Sequence, residues 1–345
     1  MSRILVGMSG GVDSTCSASI LKEAGNDVIG VFFIMNGSQA DAAERAESAA
    51  REVGIPFLTA DLREEFSERV CAKFVSEYIS GRTPNPCVTC NAEIKFPFLL
   101  NIADRNGCEL IATGHYSSVT ERDGYRYIRK AADEKKDQSY FLCRLGQDVL
   151  SRLVLPLADM NKSEVRAYAA EKGYSSSSRG DSQDICFIPE GDAGSYVALH
   201  CPGIGEDGFF TDESGKILGH HRGIFRYTVG QRRGLGVSAD SRRFVTEIIP
   251  SENRIVLGRG ENLMRTRVYI DGCAFADGRT PPEPFRADVR LRYTKKASPA
   301  TVIPEGNGYT AVFDEPQRSP APGQTAAFYE GDLLLGGGTI RNSET

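Results

Sequence analysis

No stretch of about 18 consecutive apolar residues occurs in this sequence, which excludes a bilayer-spanning helix. The opening MSRILVGMSGG has neither an apolar signal core nor an Arg-rich transit stretch. The expectation is therefore a cytoplasmic protein, bacterial rather than imported into an organelle. A disulfide framework is missing too: nine cysteines are scattered over 345 residues, an odd number, so each thiol is judged singly. The CxxC at Cys87 and Cys90 has no second CxxC and no convincing fourth ligand, which argues against zinc. No internal repeat is present. Nor is there an excess of positive charge, since the net charge is −5, so the whole chain is not a generic polyanion binder.

That balance is uneven. Residues 1–200 carry 22 basic and 28 acidic groups, whereas residues 201–345 carry 19 and 18. Residues 222–243 hold Arg222, Arg226, Arg232, Arg233, Arg242 and Arg243 against the single acid Asp240, a candidate phosphate-contact surface.

A length of 345 residues predicts two or three domains. The first half alternates strand and helix signals. RILVGM, DVIGVFF, IPFLTA and ELIATG read as strands. Between them, Ala42, Ala46, Ala49, Ala50 and Val53 share one helical face, with Ser38 as the expected cap and Gly54 as the stop. A further helix is predicted after Asp61, with Leu62, Phe66, Val70, Phe74 and Tyr78 spaced by four. Asn161 followed by Glu164 is a capping-box pattern. Such alternation implies an α/β fold, a doubly wound parallel sheet with ligands at the carboxyl ends of its strands. Beyond about residue 200, short alternating runs such as RFVTEIIP, NRIVLGR and ADVRLRY predict two small β-barrel-like domains. The expected units are 1–198, 199–265 and 266–345. The serine patch Ser175–Ser178, leading into RGDSQDICFIP, is expected to be mobile.

Three features carry chemistry. GMSGGVDS, Gly7 to Ser14, follows the first strand and opens a helix. Its glycines let backbone approach phosphate oxygens, and N–H groups at the helix start favour an anion. Ser9 and Ser14 add donors, and Asp13 can help hold Mg²⁺. No Lys follows as in GxxxxGK[ST], so this is a different loop. The SGGVDS stretch resembles the signature of pyrophosphate-loop ATPases, which cleave ATP to AMP and pyrophosphate. Secondly, ATGHY places Gly114 and His115 at the end of the fourth strand, in the same crevice. Thirdly, Cys87 and Cys90 follow GRTPNP, whose prolines predict an extended rigid approach unlike the helix start of a thioredoxin dithiol, and Cys186 lies in DSQDICFI. Cys16 and Cys71 fall inside predicted helices, where inert thiols are the default.

With GRTPNP.V.CN.EIKF, KDQSYFL, YTVGQRRGLG, RYTKK and PGQTAAFYEGD added, the chain resembles the tRNA-specific 2-thiouridylases, the MnmA/TrmU family, over nearly its full length. The resemblance implies replacement of the C2 oxygen of the wobble uridine by sulfur. ATP with Mg²⁺ would adenylate that oxygen, a persulfide on Cys186 would deliver sulfur, and Cys90 would resolve the S–S bond. Gly7, Met8, Ser9, Gly10, Gly11, Val12, Asp13, Ser14, Phe33 and Gly114 would hold ATP. Asn85, Pro86 and residue 87 would line the flipped target base. His115, Lys136, Asp137, Gln138, Arg292, Tyr293 and Gln324 would contact tRNA, with the Lys, Glu and Gln isoacceptors expected. A cysteine desulfurase or sulfur-relay protein is the implied donor, and a monomer is expected.

One departure matters. Many family members carry Asp where this chain has Cys87, so the acid/base role usually given to that Asp falls to a thiol or is dispensable. Two sulfur routes stay open: the persulfide, and a [4Fe–4S] cluster on Cys87, Cys90 and Cys186 carrying a sulfide. Arg179 is a candidate cation for thiolate activation. Another pyrophosphate-loop synthetase would not need Cys186 or the β domains. A non-catalytic tRNA-binding protein would not need Asp13, Ser14, Cys90 and Cys186 together.

Overall fold

A computed structural model describes residues 1–178, 180, 185–188, 193–201, 203–204, 207–238 and 242–344. Arg179, the candidate thiolate neighbour, lies outside the described residues, as do residues 181–184 of the cysteine-bearing stretch.

Five parallel strands form the first sheet, in the order Phe57–Asp61 (β3), Asp27–Ile34 (β2), Arg3–Gly7 (β1), Leu110–Ala112 (β4) and Leu153–Val154. Register runs Leu5 to Ile29 on one side of β1 and Leu5 to Ile111 on the other. The chain order reverses between β1 and β4, so a crevice opens beyond Gly7 and Ala112, at the topological switch point. The helix Val12–Glu23 (α1) rises from that crevice.

Local chemistry explains the helices and corrects three expectations. Asn161 caps Lys162–Glu171 with both halves of the capping box formed. The helix Ala40–Val53 buries Ala46, Ala49, Ala50 and Val53, but Ser38 does not cap it. Gln39 occupies that position, with its Oε1 accepting from the N–H groups of Met35 and Asn36, while the Ser38 hydroxyl donates to Asn36. The serines Ser175–Ser178 form a 3₁₀ turn rather than a mobile tether, with Ser176 fully buried and Ser175 N–H bonded to Glu52. GRTPNP is not extended to its end. Asn85 is an N-cap and Pro86 the first residue of the helix Pro86–Cys90, because a missing N–H costs nothing there.

The second half is all β. Phe244–Ile249, Arg254–Gly258, Gly208–Thr211 and Ile217–His221 make a four-stranded sheet. Met264–Phe275, Gly308–Arg318, Ser298–Glu305, Phe285–Arg290, Thr325–Glu330 and Leu333–Glu344 form a six-stranded antiparallel barrel, closed by pairing of the last strand with the first. The stretch DGYRYIRK belongs to a hairpin, Ser118–Arg122 with Tyr125–Arg129. It leaves the first domain and extends the barrel sheet through Arg129 and Leu333. One apolar core therefore runs from Leu5 and Ile111 through Tyr140 to Ala327, Tyr329 and Leu334. Among the described residues no helix is long and apolar enough to cross a membrane.

Candidate active site

The loop Gly7–Ser14 turns from β1 into α1 at the switch point. Ser14 Oγ accepts from the N–H of Ser9 at 3.1 Å and donates to the carbonyl of Gly11, tying the turn together. No side chain caps α1 at Gly11, so its first-turn N–H groups face the crevice as a ready anion site. A Cβ on Gly114 would stand 2.9 Å from both Asp13 C and Ser14 N, so only glycine lets the chain after β4 press against this turn. Met8 and Phe33 are buried below it. These features fit ATP phosphates.

Asp13 shows what the sequence alone misses. Both of its carboxylate oxygens accept from Lys162 Nζ, at 2.7 and 2.8 Å, and Oδ1 also accepts from the Tyr116 hydroxyl at 2.6 Å. Lys162 is the first residue of its helix. A cation there opposes the helix dipole, and that misfit was the available signal for an outside partner. Asp13 is the loop's carboxylate and fits a phosphate-bound Mg²⁺, with Lys162 as a second cation at the same place.

The thiol region lies on Pro86–Cys90 and the π-helical turn Asn91–Lys95 after it. Cys87 and Cys186 are exposed residues, whereas Cys90 is buried. Burial pushes Cys90 up to about 11, and crowding by protein pushes Cys87 and Cys186 upward too, while the Lys95 ammonium pulls all three down. Cys186 raises the pKa of both Cys87 and Cys90 electrostatically, and the same Lys95 ammonium acts on all three thiols. Lys95 stands in the quoted EIKF stretch but drew no role from sequence: five residues past Cys90, it falls outside α-helical i+4 spacing, and the π turn realigns it. Cys71 also neighbours Cys186, with its thiol hydrogen-bonded to Tyr196. All nine cysteines are free thiols. Among the described residues no three Cys, His, Asp or Glu side chains are grouped to hold a metal ion.

The remaining predicted residues divide. His115 stacks on Phe96 with ring centroids 5.9 Å apart, and its Nδ1 pairs with Thr113 Oγ1 at 2.8 Å. Burial, with Lys95 adding to it, pulls its pKa down to about 3, leaving a neutral ring. Tyr293 packs on Phe141 at 4.5 Å, and Lys136 sits on a turn closed to Asp133. Asp137 is buried in an ion pair with Arg290 at 2.9 Å and accepts from Ser139 N–H and Oγ. Gln138 Oε1 accepts from Tyr116 N–H. Arg292 donates to the carbonyls of Val229 and Ser319, joining the middle sheet to the barrel. Gln324 donates to Thr83 and Pro84. Five of the six clustered arginines, Arg222, Arg226, Arg232, Arg233 and Arg242, are exposed on the middle domain.

Family models cover the chain in three parts. The tRNA methyl transferase HUP domain matches residues 2–190, the tRNA methyl transferase PRC-barrel domain 201–259, and the aminomethyltransferase beta-barrel domain 265–340. The tRNA-specific 2-thiouridylase MnmA of Clostridium acetobutylicum is 41% identical over 98% of this chain and 99% of its own length. The enzyme of the same name from Syntrophotalea carbinolica is 43% identical, over 98% of each chain. The chain belongs to the tRNA-specific 2-thiouridylase family. Among solved structures, a 4-thiouridine synthetase in complex with RNA and bound ATP is 18% identical. It aligns with 54% of this chain and 45% of its own at a TM-score of 0.37, too distant to carry weight. Cys87 is an exposed residue in the first turn of the thiol-bearing helix.

Proposed function

We propose that this chain is an ATP-dependent tRNA 2-thiouridylase that acts on the wobble uridine through a persulfide. What supports the reading is the loop Gly7–Ser14 at the switch point in a chain of the 2-thiouridylase family that also carries Cys87, Cys90 and Cys186, all three under the influence of the Lys95 ammonium. The α1 terminus, Ser9, Ser14 and Lys162 would hold the phosphates, with Phe33 and Gly114 beside the nucleoside. Mg²⁺, when bound, neutralises phosphate charge beside Asp13.

The C2 oxygen of uridine attacks the α-phosphorus of ATP and pyrophosphate leaves. The terminal sulfur of a Cys186 persulfide then bonds to C2 and AMP departs. Cys90 attacks Sγ of Cys186, the S–S bond breaks and 2-thiouridine leaves. A Cys90–Cys186 disulfide remains for an external thiol to reduce. Asn85, Pro86 and Cys87 would face the target base, with His115, Lys136 and Tyr293 nearby. The units 1–198, 199–265 and 266–345 would act as a cytoplasmic monomer on tRNAs for Lys, Glu and Gln, with sulfur from a cysteine desulfurase or a relay protein.

Mass spectrometry of tRNA incubated with the enzyme, ATP, cysteine and a cysteine desulfurase tests this. Wild-type enzyme should exchange oxygen for sulfur at the wobble uridine, and Cys90→Ser and Cys186→Ser should not. An active Cys186→Ser variant overturns the sulfur route. Activity that tracks iron content after anaerobic purification replaces the persulfide with a cluster.

A further inference from the structure

The segment bearing Cys87 and Cys90 is gripped from outside its own domain. Thr83 N–H donates to the carbonyl of Pro322 at 2.8 Å. The Gln324 side-chain amide then donates to the carbonyls of Thr83, at 2.8 Å, and Pro84, at 3.3 Å. Gly323 sits between these contacts at φ +88, and a Cβ there would lie within 2.9 to 3.0 Å of Thr83 N, C and O. Residues 322–324 thus lie backbone against backbone on residues 83–84. Their own anchor is the barrel: Gly323 N–H donates to Ile340 O, and Ile340 N–H donates to Gln324 O, each at 2.8 Å.

The grip continues into the thiol helix. Thr325 O accepts from the Tyr140 hydroxyl at 2.8 Å, and Tyr140 also hydrogen-bonds the Asn85 side chain. Asn85 Oδ1 in turn accepts from Val88 N–H, capping the helix whose first turn holds Cys87. Thr83 and Pro84 lie outside any helix or strand, so no ladder or helix turn serves their carbonyls and these need partners from elsewhere. Gln324 supplies both. Its amide nitrogen is therefore engaged within the protein, although resemblance alone places the residue among tRNA contacts.

We propose that Gln324 is a positioning residue for the thiol pair, through which the C-terminal barrel sets where Cys87 and Cys90 lie. This deepens, and rests on, the sulfur-transfer reading above. The prediction is a split. With Gln324→Glu, which keeps size but loses both donors, kcat for thiolation should fall about tenfold while tRNA Kd stays within about twofold. In the enzyme without tRNA, iodoacetamide should alkylate Cys87 about threefold faster or more, as the segment opens locally. Gly323→Ala pushes on Thr83 without touching the amide and should give the same pattern, so the test survives if one variant fails to fold.

Weaker tRNA binding with unchanged kcat and unchanged Cys87 alkylation would make Gln324 a tRNA contact and overturn the proposal. The alkylation arm needs no thiolation activity. If wild-type enzyme does not thiolate tRNA, the functional reading falls, while the alkylation rates still decide the grip.

Discussion

The loop Gly7–Ser14 and the segment Thr83–Cys90 are held in different ways. The loop is fixed by its own domain: Ser14 bonds back to Ser9 and Gly11, Gly114 packs against it, and Lys162 and Tyr116 hold Asp13. The thiol segment depends on a barrel that begins far along the chain, through Pro322, Gly323 and Gln324. A phosphate cradle can be rigid and self-contained. The segment that carries Cys87 and Cys90 is instead contacted by the barrel that follows it in the chain.

Three perturbations test that contrast. The largest effect is expected from Arg290→Met, which leaves Asp137 buried without its cation across the junction of barrel and first domain. Breaking such a pair costs about 3–5 kcal/mol. Thermal unfolding should show one transition at lower temperature. Two separate transitions would mean that the barrel and first domain are not one cooperative unit.

Asp13→Asn comes next. It weakens the link to Lys162 and removes the loop's carboxylate, and pyrophosphate release should slow by about 10²-fold. Cys87 alkylation should not change; if it does, the two regions are not independent.

The smallest expected effect comes from Lys95→Met. The Lys95 ammonium favours the thiolates against the upward push of burial at Cys87, Cys90 and Cys186. Without it their pKa values rise, and each unit leaves roughly tenfold less thiolate below the midpoint. The pH midpoint of alkylation should move upward, with pyrophosphate release untouched. An unmoved midpoint removes Lys95 from the site.

Sequence was informative where the cause of structure is local. Strand runs, the glycine turn before α1 and the Asn161–Glu164 box follow from neighbours a few residues apart, and the structure contains them. Ser38 failed because its hydroxyl donates to Asn36 and the helix starts one residue later at Gln39, whose side chain turns back to Met35 and Asn36 and leaves the helix without a side-chain cap. The serine patch looked loose by composition, yet Ser175 finds Glu52 and Ser176 is buried. The partner of Lys162 and the grip of Gln324 act across fold contacts that no spacing rule encodes, although a cation at a helix start hinted at the first, whereas Lys95 was missed because a π turn replaces i+4 spacing. Gln324 and Thr83 are 241 positions apart.

The hairpin Ser118–Arg129 has a consequence for synthesis. Tyr127 and Ile128 are buried, and among the described residues the outer edge of Tyr125–Arg129 pairs with Leu333 and Leu334 of the barrel's last strand. During translation the first domain therefore emerges with an open strand edge that waits for almost the whole protein. Such an edge invites pairing with other chains. The barrel's last strand thus also covers an edge that belongs to a hairpin of the first half of the chain.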